Sequence, residues 1–250
     1  MEHFPVVTTT QAHAHSRPAW SAVMADEQTV GRGQRERSFV SDPGGLYLTA
    51  VLPYAGDPLA SRGFALAVGW AVRATLLRAG VRDVRLRWPN DLLVGMRKVG
   101  GILVEQDGSD TLLVGLGLNI SNRPWRADPV LREVAGRLVD LSGGVALPGR
   151  AELAARLLRG IWLAHCVFAR RRLAGFAAVL NRCWGPPRRV RLELFSPNGA
   201  AESEGVFLGI DPAGCVLLRT DNHGQIAVPE HHISRLREVR PEEIRPLPGG

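Results

Sequence analysis

Apolar residues recur at helical or strand spacing along most of the chain. Over 59–79 they fall at intervals of three and four residues, which predicts an amphipathic helix that ends at Gly80. Residues 1–45 have no sustained period, apart from the segments discussed below, and are predicted to be irregular. Shorter apolar runs predict buried strands over 46–52, 92–94, 99–105 and 111–120. Further helices are predicted over about 127–141 and 150–180.

The hydrophobic pattern changes after Trp184. Short apolar segments follow one another with turns rich in Gly, Pro, Asn and Asp between them, and these segments are VRLELF, EGVFLGID, CVLLRT and QIAV. Helices and strands alternate before this point, and only strands follow it. The pattern therefore predicts an α/β domain with a mixed sheet and flanking helices over 1–182, a small all-β module over 183–240 and a tail over 241–250.

The composition is that of a soluble globular protein. The chain has 250 residues, of which 45% are hydrophobic and 22% are charged, and no apolar run approaches the roughly 20 residues that cross a bilayer. Its three cysteines are widely spaced and suit reduced thiols, which favours a cytoplasmic location. The net charge of +7 permits contact with nucleic acid, a nucleotide or an acidic protein without choosing among them.

Only one of the 31 basic side chains is a lysine, Lys98. Arginine is a broad, planar fork, whereas lysine is a compact point charge on a thin stem. In a chain that otherwise uses arginine, a single lysine indicates a position that arginine does not suit. Chance retention on a surface loop is the alternative, but Lys98 lies in the segment RWPNDLLVGMRKVGGILVE, which is unlike an ordinary loop.

Three segments carry candidate chemistry. The first, Gly31–Arg37, combines two glycines with three arginines, which can bring backbone and forked donors to a phosphate or carboxylate. The second runs from Arg87 through RWPND to the KVGGILVE strand, and the third is GLGLNI, which ends at Ile120. Glycines in a strand leave room for a ligand against the sheet. Taken singly, a surface loop, a turn and a strand end explain these segments equally well.

Together, in this order and spacing, the segments ADEQTVGRG, SDPGGLYLT, RWPND, RKVGGILVE and GLGLNI resemble the biotin–protein ligase family over about residues 25–122. More weakly, EGVFLGIDPAGCVLL is similar to the small SH3-like β-barrel of that family. The resemblance implies a biotin/lipoate ligase-like catalytic domain that forms biotinyl-5′-AMP from biotin and ATP with Mg²⁺. It also implies transfer of biotin to a lysine of a biotin carboxyl carrier domain.

The resemblance also assigns residues to roles. Lys98 and Arg32 would be catalytic. Biotin would be bound by Thr9, Thr10, Gln11, Gln28, Arg32, Gly33, Gln34, Lys98, Gly101 and Gly115. ATP and the adenylate would be bound by Arg35, Arg37, Trp88, Asn90, Asp91, Gly117 and Asn119. No dedicated metal cluster is expected, because Mg²⁺ would arrive on the phosphates, with Asp91 as its one candidate protein ligand.

Two residues depart from the family pattern. Gln34 stands where arginine is usual, and Glu36 stands where glycine is usual. The first change removes a cationic donor, and the second adds a carboxylate beside the expected phosphates. We therefore expect weaker retention of the adenylate than is usual in the family.

Other functions stay open on the sequence alone. They are ligation of a related acid such as lipoate or octanoate, non-catalytic binding of biotin or a nucleotide, and weak, salt-sensitive nucleic-acid binding. Fewer than ten residues precede the first motif, so we expect no helix-turn-helix and no specific DNA binding. We expect no membrane association, and a homodimer is possible through pairing of the strand over 111–120.

Overall fold

The computed structural model describes residues 1–54, 61–108, 110–195 and 201–239, and at Glu36 it describes only the backbone. The chain divides into two compact units, Met1–Arg172 and Leu173–Gly250. Among the described residues, no helix combines the length and the apolar character that a membrane span needs.

The first unit is built on a seven-stranded mixed sheet. Its strands are β1 (Glu2–Val7), β2 (Ala22–Gln28), β3 (Leu46–Pro53), β4 (Val84–Arg87), β5 (Asp91–Val94), β6 (Arg97–Asp107) and β7 (Thr111–Leu118). Their spatial order is β1-β2-β3-β7-β6-β5-β4. β1 and β2 run parallel, and every other neighbouring pair is antiparallel.

Helices cover both faces of this sheet. They are α1 (Thr10–Ala14), α2 (Phe64–Arg78), α3 (Leu131–Val134), α4 (Leu138–Leu141) and α5 (Arg150–Arg171). α2 packs against α5 and, through Gly69, against Leu86 and Ile102 on one face. On the other face, Ala14 of α1 forms a buried cluster with Val23, Val51 and Leu113. Since strand side chains alternate between faces, Gly101 lies on the opposite face from its neighbour Ile102.

The second unit contains α6 (Ala177–Leu180) and a five-stranded antiparallel sheet. The strands are β8 (Arg188–Leu194), β9 (Ala201–Ile210), β10 (Val216–Thr220), β11 (Gly224–Val228) and β12 (Ile233–Glu238), in the order β11-β10-β9-β8-β12. Asn181 ties the segment after α6 to β9 through hydrogen bonds with both the N–H and the carbonyl of Ile210, of 3.0 and 2.9 Å. Within the described residues no pairing joins β11 to β12, so the closed SH3-like barrel stays a prediction.

The α/β fold with a mixed sheet and flanking helices is confirmed, and several local predictions are wrong. Residues 1–45 are not irregular, because β1, α1 and β2 lie within them. The helix expected over 127–141 is two four-residue helices, α3 and α4, because the N–H of Gly136 bonds to the carbonyl of Lys98 (2.8 Å) and interrupts the helical ladder. The helix expected over 150–180 ends at Arg171, and a short turn separates it from α6.

The strand over 111–120 is an interior strand. β7 pairs with β3 on one side and with β6 on the other, so its backbone groups are not available to a second copy of the chain. The predicted dimer contact through this strand is therefore wrong, while a homodimer as such stays a prediction. Residues 173–182, assigned from sequence to the first domain, belong to the second compact unit, and the boundary at 182 also stays a prediction.

Candidate functional site

A row of residues without bulky side chains crosses the face of the sheet that carries α1. Gly101 of β6 pairs with Gly117 of β7 and, on its other side, with Asp91 of β5. Two residues along β7, Gly115 pairs with Leu103 and Thr49. Residues directly opposite one another in antiparallel strands point to the same face. Gly101, Gly115 and Gly117 therefore form a glycine floor, which is accessible to a ligand only where no neighbouring side chain lies on it.

A β-bulge brings Lys98 to this floor. Leu92 pairs with Gly100, but the next residue, Leu93, pairs with Lys98, so Val99 is an extra residue in β6. Without the bulge, Lys98 and Gly101 would point to opposite faces, because they are three positions apart. With the bulge, Nζ of Lys98 lies 3.7 Å from the position that a Cβ would take at Gly101.

Lys98 is held by the carboxylate of Asp91, which also pairs with Arg87. Its Nζ lies 2.6 Å from Oδ1 of Asp91, while Oδ2 of Asp91 accepts hydrogen bonds from Nη2 and Nε of Arg87 at 2.6 and 3.1 Å. The Asp91 side chain is only 15% exposed and that of Lys98 is 34% exposed. Burial acts to raise the pKa of Asp91, but the charges and hydrogen bonds of Lys98 and Arg87 outweigh it and hold that pKa below its usual 3.8. The carboxylate is therefore ionised at neutral pH and fixes the ammonium at the edge of the floor.

Replacing Asp91 by asparagine is expected to lower the free energy of unfolding by about 2 kcal/mol at neutral pH, because two cations lose their shared counter-ion. The folded pKa of Asp91 is lowered, so its contribution is present above the unfolded value of 3.8 and is lost as the pH falls through the folded value. The difference between wild type and Asp91→Asn should therefore shrink below about pH 4. Urea unfolding from pH 7 to pH 2.5 measures it. Asp140→Asn, which removes an exposed ion pair with Arg137, is the matched control and should cost less than about 1 kcal/mol. A difference that persists at the lowest pH would contradict this account.

The other end of the glycine floor is closed by Gln11 of α1. Its Nε2 donates to Oε2 of Glu105 over 2.7 Å. Its Oε1 is buried and has no hydrogen-bond partner among the described residues, and it lies 3.2 Å from the position that a Cβ would take at Gly115. The amide is thus oriented by Glu105 so that an acceptor is available beside Gly115.

Thr10 and Gln28 form a polar chain next to Gln11. Oε1 of Gln28 accepts from the N–H and the hydroxyl of Thr10, at 2.7 and 3.1 Å, and the Thr49 hydroxyl donates to that of Thr10 over 2.8 Å. Thr9 has a separate role as the N-cap of α1, since its hydroxyl accepts from the N–H of Ala12 (2.8 Å). The structure brings Thr10, Gln11 and Gln28 together, while Thr9 serves the helix.

The arginine- and glycine-rich segment folds into a small hairpin. The N–H of Phe39 bonds to the carbonyl of Gly31 (2.8 Å), and the N–H of Gly33 bonds to that of Arg37 (2.7 Å). A Cβ at Gly31 would lie 2.2 Å from the Phe39 carbonyl oxygen, so this close approach requires glycine. Arg32 pairs with Ser38 across the hairpin. Backbone hydrogen bonds therefore join the two sides of the hairpin.

The tip of the hairpin carries the remaining predicted residues. Gln34 is half-buried, and Arg35 and Arg37 are exposed, with Arg35 at a φ of 58°. The side chain of Glu36 lies outside the described part of the structure, so its expected effect on the adenylate stays a prediction.

Phe39, at the base of the hairpin, covers part of the glycine floor. Its Cε1 lies 2.5 Å from the position of a Cβ at Gly117, and its ring centroid lies 6.0 Å from Nζ of Lys98. The ring thus rests directly on Gly117 and beside the ammonium. A molecule that lies along the whole floor would have to displace this ring.

The residues predicted on the nucleotide side differ in their surroundings. Trp88 is buried, and its Nε1 has no partner among the described residues. Asn90 supports the sheet, because its Nδ2 and its carbonyl bond to the carbonyl and the N–H of Ile102, at 2.7 and 3.0 Å. The N–H of Asn119 bonds to the carbonyl of Val99 (2.8 Å), so it extends the β6–β7 ladder beyond Gly117.

Four residues outside the predicted site contribute to this face. Arg87 and Glu105 lie inside the RWPND and KVGGILVE motifs, so their position in these motifs was the available signal. Asn122 follows Asn119 by three residues and donates to its Oδ1 over 3.1 Å. Phe39 had no signal, because its place on Gly117 depends on the folding of the hairpin. Among the described residues, no group of three or more His, Cys, Asp or Glu side chains is arranged to hold a metal ion.

Residues 5–120 match the family model described as "Biotin/lipoate A/B protein ligase family". The chain is 31% identical over 214 residues to the biotin--[acetyl-CoA-carboxylase] ligase of Paracoccus denitrificans, covering 82% of this chain and 85% of that protein. It is 30% identical over 226 residues to the bifunctional ligase/repressor BirA of Escherichia coli, covering 87% of this chain and 68% of that protein. Its fold matches that of the biotin protein ligase from Aquifex aeolicus in complex with biotin and ATP, with a TM-score of 0.80, 25% identity, and coverage of 95% of this chain and 98% of that chain.

Proposed function

Because the chain belongs to the biotin/lipoate A/B protein ligase family, we propose that it is an ATP-dependent biotin–protein ligase. In the first step, a carboxylate oxygen of biotin attacks the α-phosphorus of ATP, and the bond to the departing pyrophosphate breaks. In the second, the amine of a lysine on a carrier protein attacks the acyl carbon of biotinyl-5′-AMP. AMP leaves with the bonding electron pair, and the amine loses a proton as the amide forms.

The observation that carries this proposal is the position of Lys98. Two anionic groups must approach each other in the first step, and negative charge grows on the phosphoryl oxygens. Lys98 presents an ammonium at the edge of the glycine floor, and Asp91 fixes it there at 2.6 Å. A fixed cation stabilises that developing charge without reorganisation, and its small bulk leaves room for both reactants.

Biotin would lie along the floor between Gln11 and Lys98. The ureido ring of biotin carries N–H donors, and Oε1 of Gln11 is a buried acceptor without a partner among the described residues. In the unliganded structure the Gln11 amide lies over Gly115, so the ring system would enter beside this amide, and the polar chain of Thr10 and Gln28 lies alongside it. The carboxylate at the other end of biotin would then reach Lys98 beside Gly101. Thr9, Gly33 and Gln34 stay predicted biotin contacts.

ATP would occupy the side of the floor towards Gly117 and Asn119. Phe39 would leave Gly117 as the nucleotide enters, and movement of the hairpin would bring Arg32, Arg35 and Arg37 to the phosphates, where arginine forms forked hydrogen bonds. We also place Trp88 and Asn90 on the ATP side of the floor. Asn90 would act there chiefly by supporting β6.

Mg²⁺ would be carried by the phosphates and water. Asp91 has one oxygen on Lys98 and the other on Arg87, so it suits a charge-positioning role better than metal ligation. When bound, Mg²⁺ would neutralise phosphate charge. Lys98 and the hairpin arginines would supply the charge that this chain contributes itself.

The partner we propose is a biotin carboxyl carrier domain, in agreement with relatives named biotin--[acetyl-CoA-carboxylase] ligase. Its approach would be helped if its surface is acidic, because this chain has a net charge of +7. The proposal also includes a cytoplasmic location, a homodimer and an SH3-like form of the second unit. It includes neither specific DNA binding nor membrane association.

The deciding experiment incubates the protein with Mg·ATP, labelled biotin and a carboxylase carrier domain. Biotin should be transferred to a single carrier lysine, and a carrier with that lysine changed to arginine is the control. Excess lipoate or octanoate should not compete. Efficient transfer of either acid instead of biotin would assign the site to that acid, and biotin binding without transfer would identify a non-catalytic relative. Binding only to nucleic acid, lost at moderate salt, would overturn the proposal.

A further inference from the structure

Ser41 takes no part in the chemistry described above, yet its hydroxyl contacts a residue that is proposed to bind biotin. The Ser41 residue is only 3% exposed. Its Oγ accepts from Nε2 of Gln28 over 2.9 Å and donates to the carbonyl oxygen of Phe39 over 2.9 Å. Ser41 therefore joins the polar chain that contains Gln28 to the base of the hairpin.

Backbone groups at the two ends of this chain fix the direction of its hydrogen bonds. The N–H of Thr10 can only donate, so the Gln28 atom that lies 2.7 Å from it must be the amide oxygen. The carbonyl of Phe39 can only accept, so it takes the single hydrogen of the Ser41 hydroxyl. The Ser41 oxygen must then accept from the amide nitrogen of Gln28. Both ends therefore require the same orientation of the Gln28 amide.

The contact between Ser41 and Gln28 is closely packed. The backbone N–H of Gln28 also bonds to the carbonyl of Ser41 (3.1 Å). Gly31 lies against the contact, because a Cβ at this position would be 2.4 Å from Oγ of Ser41 and 3.3 Å from Nε2 of Gln28. A hydroxyl oxygen occupies less volume than a water molecule, so water would not replace it here. Loss of the hydroxyl would leave the Gln28 amide without its acceptor.

The Gln28 amide has one more hydrogen to offer. Within the described residues its nitrogen donates only to Ser41, so the second hydrogen on that nitrogen is available to a ligand. The proposed function places Gln28 alongside the ring system of biotin, whose ureido carbonyl oxygen is an acceptor. If the amide were turned over, its oxygen would take the place of the nitrogen, and two acceptors would face each other.

We infer that Ser41 is a positioning residue for biotin binding, which holds the Gln28 amide in the orientation that donates to the ureido carbonyl. This inference rests on the proposed function and deepens it. Ser41 acts through Gln28 and does not contact the ligand. Its contribution is to orient the donor before biotin arrives, so that binding does not have to include the free-energy cost of ordering the amide.

The test compares biotin binding by the wild type and by Ser41→Ala, using calorimetric titration without nucleotide. The variant should bind biotin about 5- to 20-fold more weakly, as expected when a hydrogen bond to a binding group is lost. With saturating biotin and Mg·ATP, its rate of biotinyl-5′-AMP formation should stay within about threefold of wild type. The loss should therefore appear in KM for biotin and not in kcat.

Ser142→Ala is the matched control. Ser142 is 2% exposed, and its hydroxyl donates to the carbonyl of Val145 over 2.9 Å, so this substitution also removes a buried hydroxyl that bonds to the backbone. In the described part of the structure it has no bond to Gln28. Both variants should lose similar stability towards urea, but Ser142→Ala should bind biotin as the wild type does. An equal loss of biotin affinity in both would indicate a general structural effect and overturn the role of Ser41.

A double-mutant cycle tests whether Ser41 acts through Gln28. Gln28→Met removes the amide and keeps an unbranched side chain of similar length. In this background, Ser41→Ala should change the affinity for biotin by less than about twofold, because there is no amide left to orient. If the hydroxyl contributes as much without the amide as with it, the inference is wrong.

A measurement on the wild type keeps the inference testable if Ser41→Ala does not fold. NMR spectra record the two hydrogens of the Gln28 side-chain amide, which are assigned by their absence in Gln28→Met. One hydrogen, bound to Ser41, should exchange slowly with solvent before biotin is added, and the other should shift when biotin binds. Rapid exchange of both hydrogens, or no shift with biotin, would refute the inference.

The inference and the proposed function fail differently. A wild type that binds biotin, with a Ser41→Ala variant that binds it equally well, overturns the role of Ser41 alone. A wild type that does not bind biotin overturns the proposed function, and the role of Ser41 with it.

Discussion

Lys98→Arg is expected to slow formation of biotinyl-5′-AMP by about 100- to 1,000-fold, the usual effect of removing one well-placed group that stabilises transition-state charge. The charge is retained in this variant, so any loss comes from shape and position. Nζ of Lys98 lies 2.6 Å from Asp91 and close to Gly101, in a space bounded by the Phe39 ring. A planar guanidinium is broader than an ammonium and extends further from the backbone. It would occupy the space in which carboxylate and α-phosphate must meet.

The neighbouring residue provides the matched control. Arg97→Lys makes the reverse exchange one position earlier, at an exposed side chain that bonds to the carbonyl of Arg132. This change should alter the rate by no more than about threefold, as is usual for surface substitutions. Single-turnover formation of biotinyl-5′-AMP measures both variants, and biotin affinity should stay within tenfold of wild type. A Lys98→Arg enzyme with wild-type rate would remove Lys98 from the centre of the mechanism and make the single lysine a coincidence.

The elements that the sequence predicted well are those with one clear pattern of burial. The interior strands β3 and β7 are mostly apolar and are buried along nearly their whole length, and α2 repeats apolar residues at helical spacing. β1 escaped detection because it is an edge strand in which only Val7 is buried, so no alternation marks it. α1 has only five residues, too few for a helical period to be visible.

The site was predictable in its residue types and much less so in its geometry. Lys98, Asp91 and the glycine floor lie in motifs that can be recognised in the sequence, which are RWPND, KVGGILVE and GLGLNI. The bulge at Val99, which turns Lys98 towards Gly101, leaves no mark in the composition of the strand. The contact of Gln11 with Glu105 joins residues 94 positions apart, and the placement of Phe39 on Gly117 depends on the hairpin. Such contacts follow from the register of the sheet, which local patterns do not determine.

The second large effect is expected from Gly115→Val, which should weaken biotin binding by at least about 100-fold through steric conflict with the Gln11 amide and the bound ring system. A Cβ at Gly115 would lie 3.2 Å from the Gln11 amide and 3.5 Å from the carbonyl oxygen of Leu103. Alanine can be accepted if the Gln11 side chain gives way by a few tenths of an ångström. The two γ-methyl groups of valine need more room, so they would displace Gln11 and enter the space assigned to the ureido ring.

Calorimetric titration with biotin across the series Gly115, Gly115→Ala and Gly115→Val separates this effect from a general loss of structure. The affinity for biotin should fall in steps along the series. The affinity for ATP, which is assigned to the far side of the floor, should stay within about threefold if folding is unaffected.

Gln11→Leu removes the buried acceptor and keeps a side chain of similar size, so it should weaken biotin binding without adding bulk at Gly115. Gly115→Val acts by volume, whereas Gln11→Leu acts through a lost hydrogen bond. For a biotin analogue that lacks the ureido group, the affinity of Gln11→Leu should therefore equal that of the wild type, and the affinity of Gly115→Val should stay lower. Wild-type biotin affinity in Gly115→Val would mean that biotin binds elsewhere on the protein, and the role proposed for the Gln11 end of the glycine floor would be wrong.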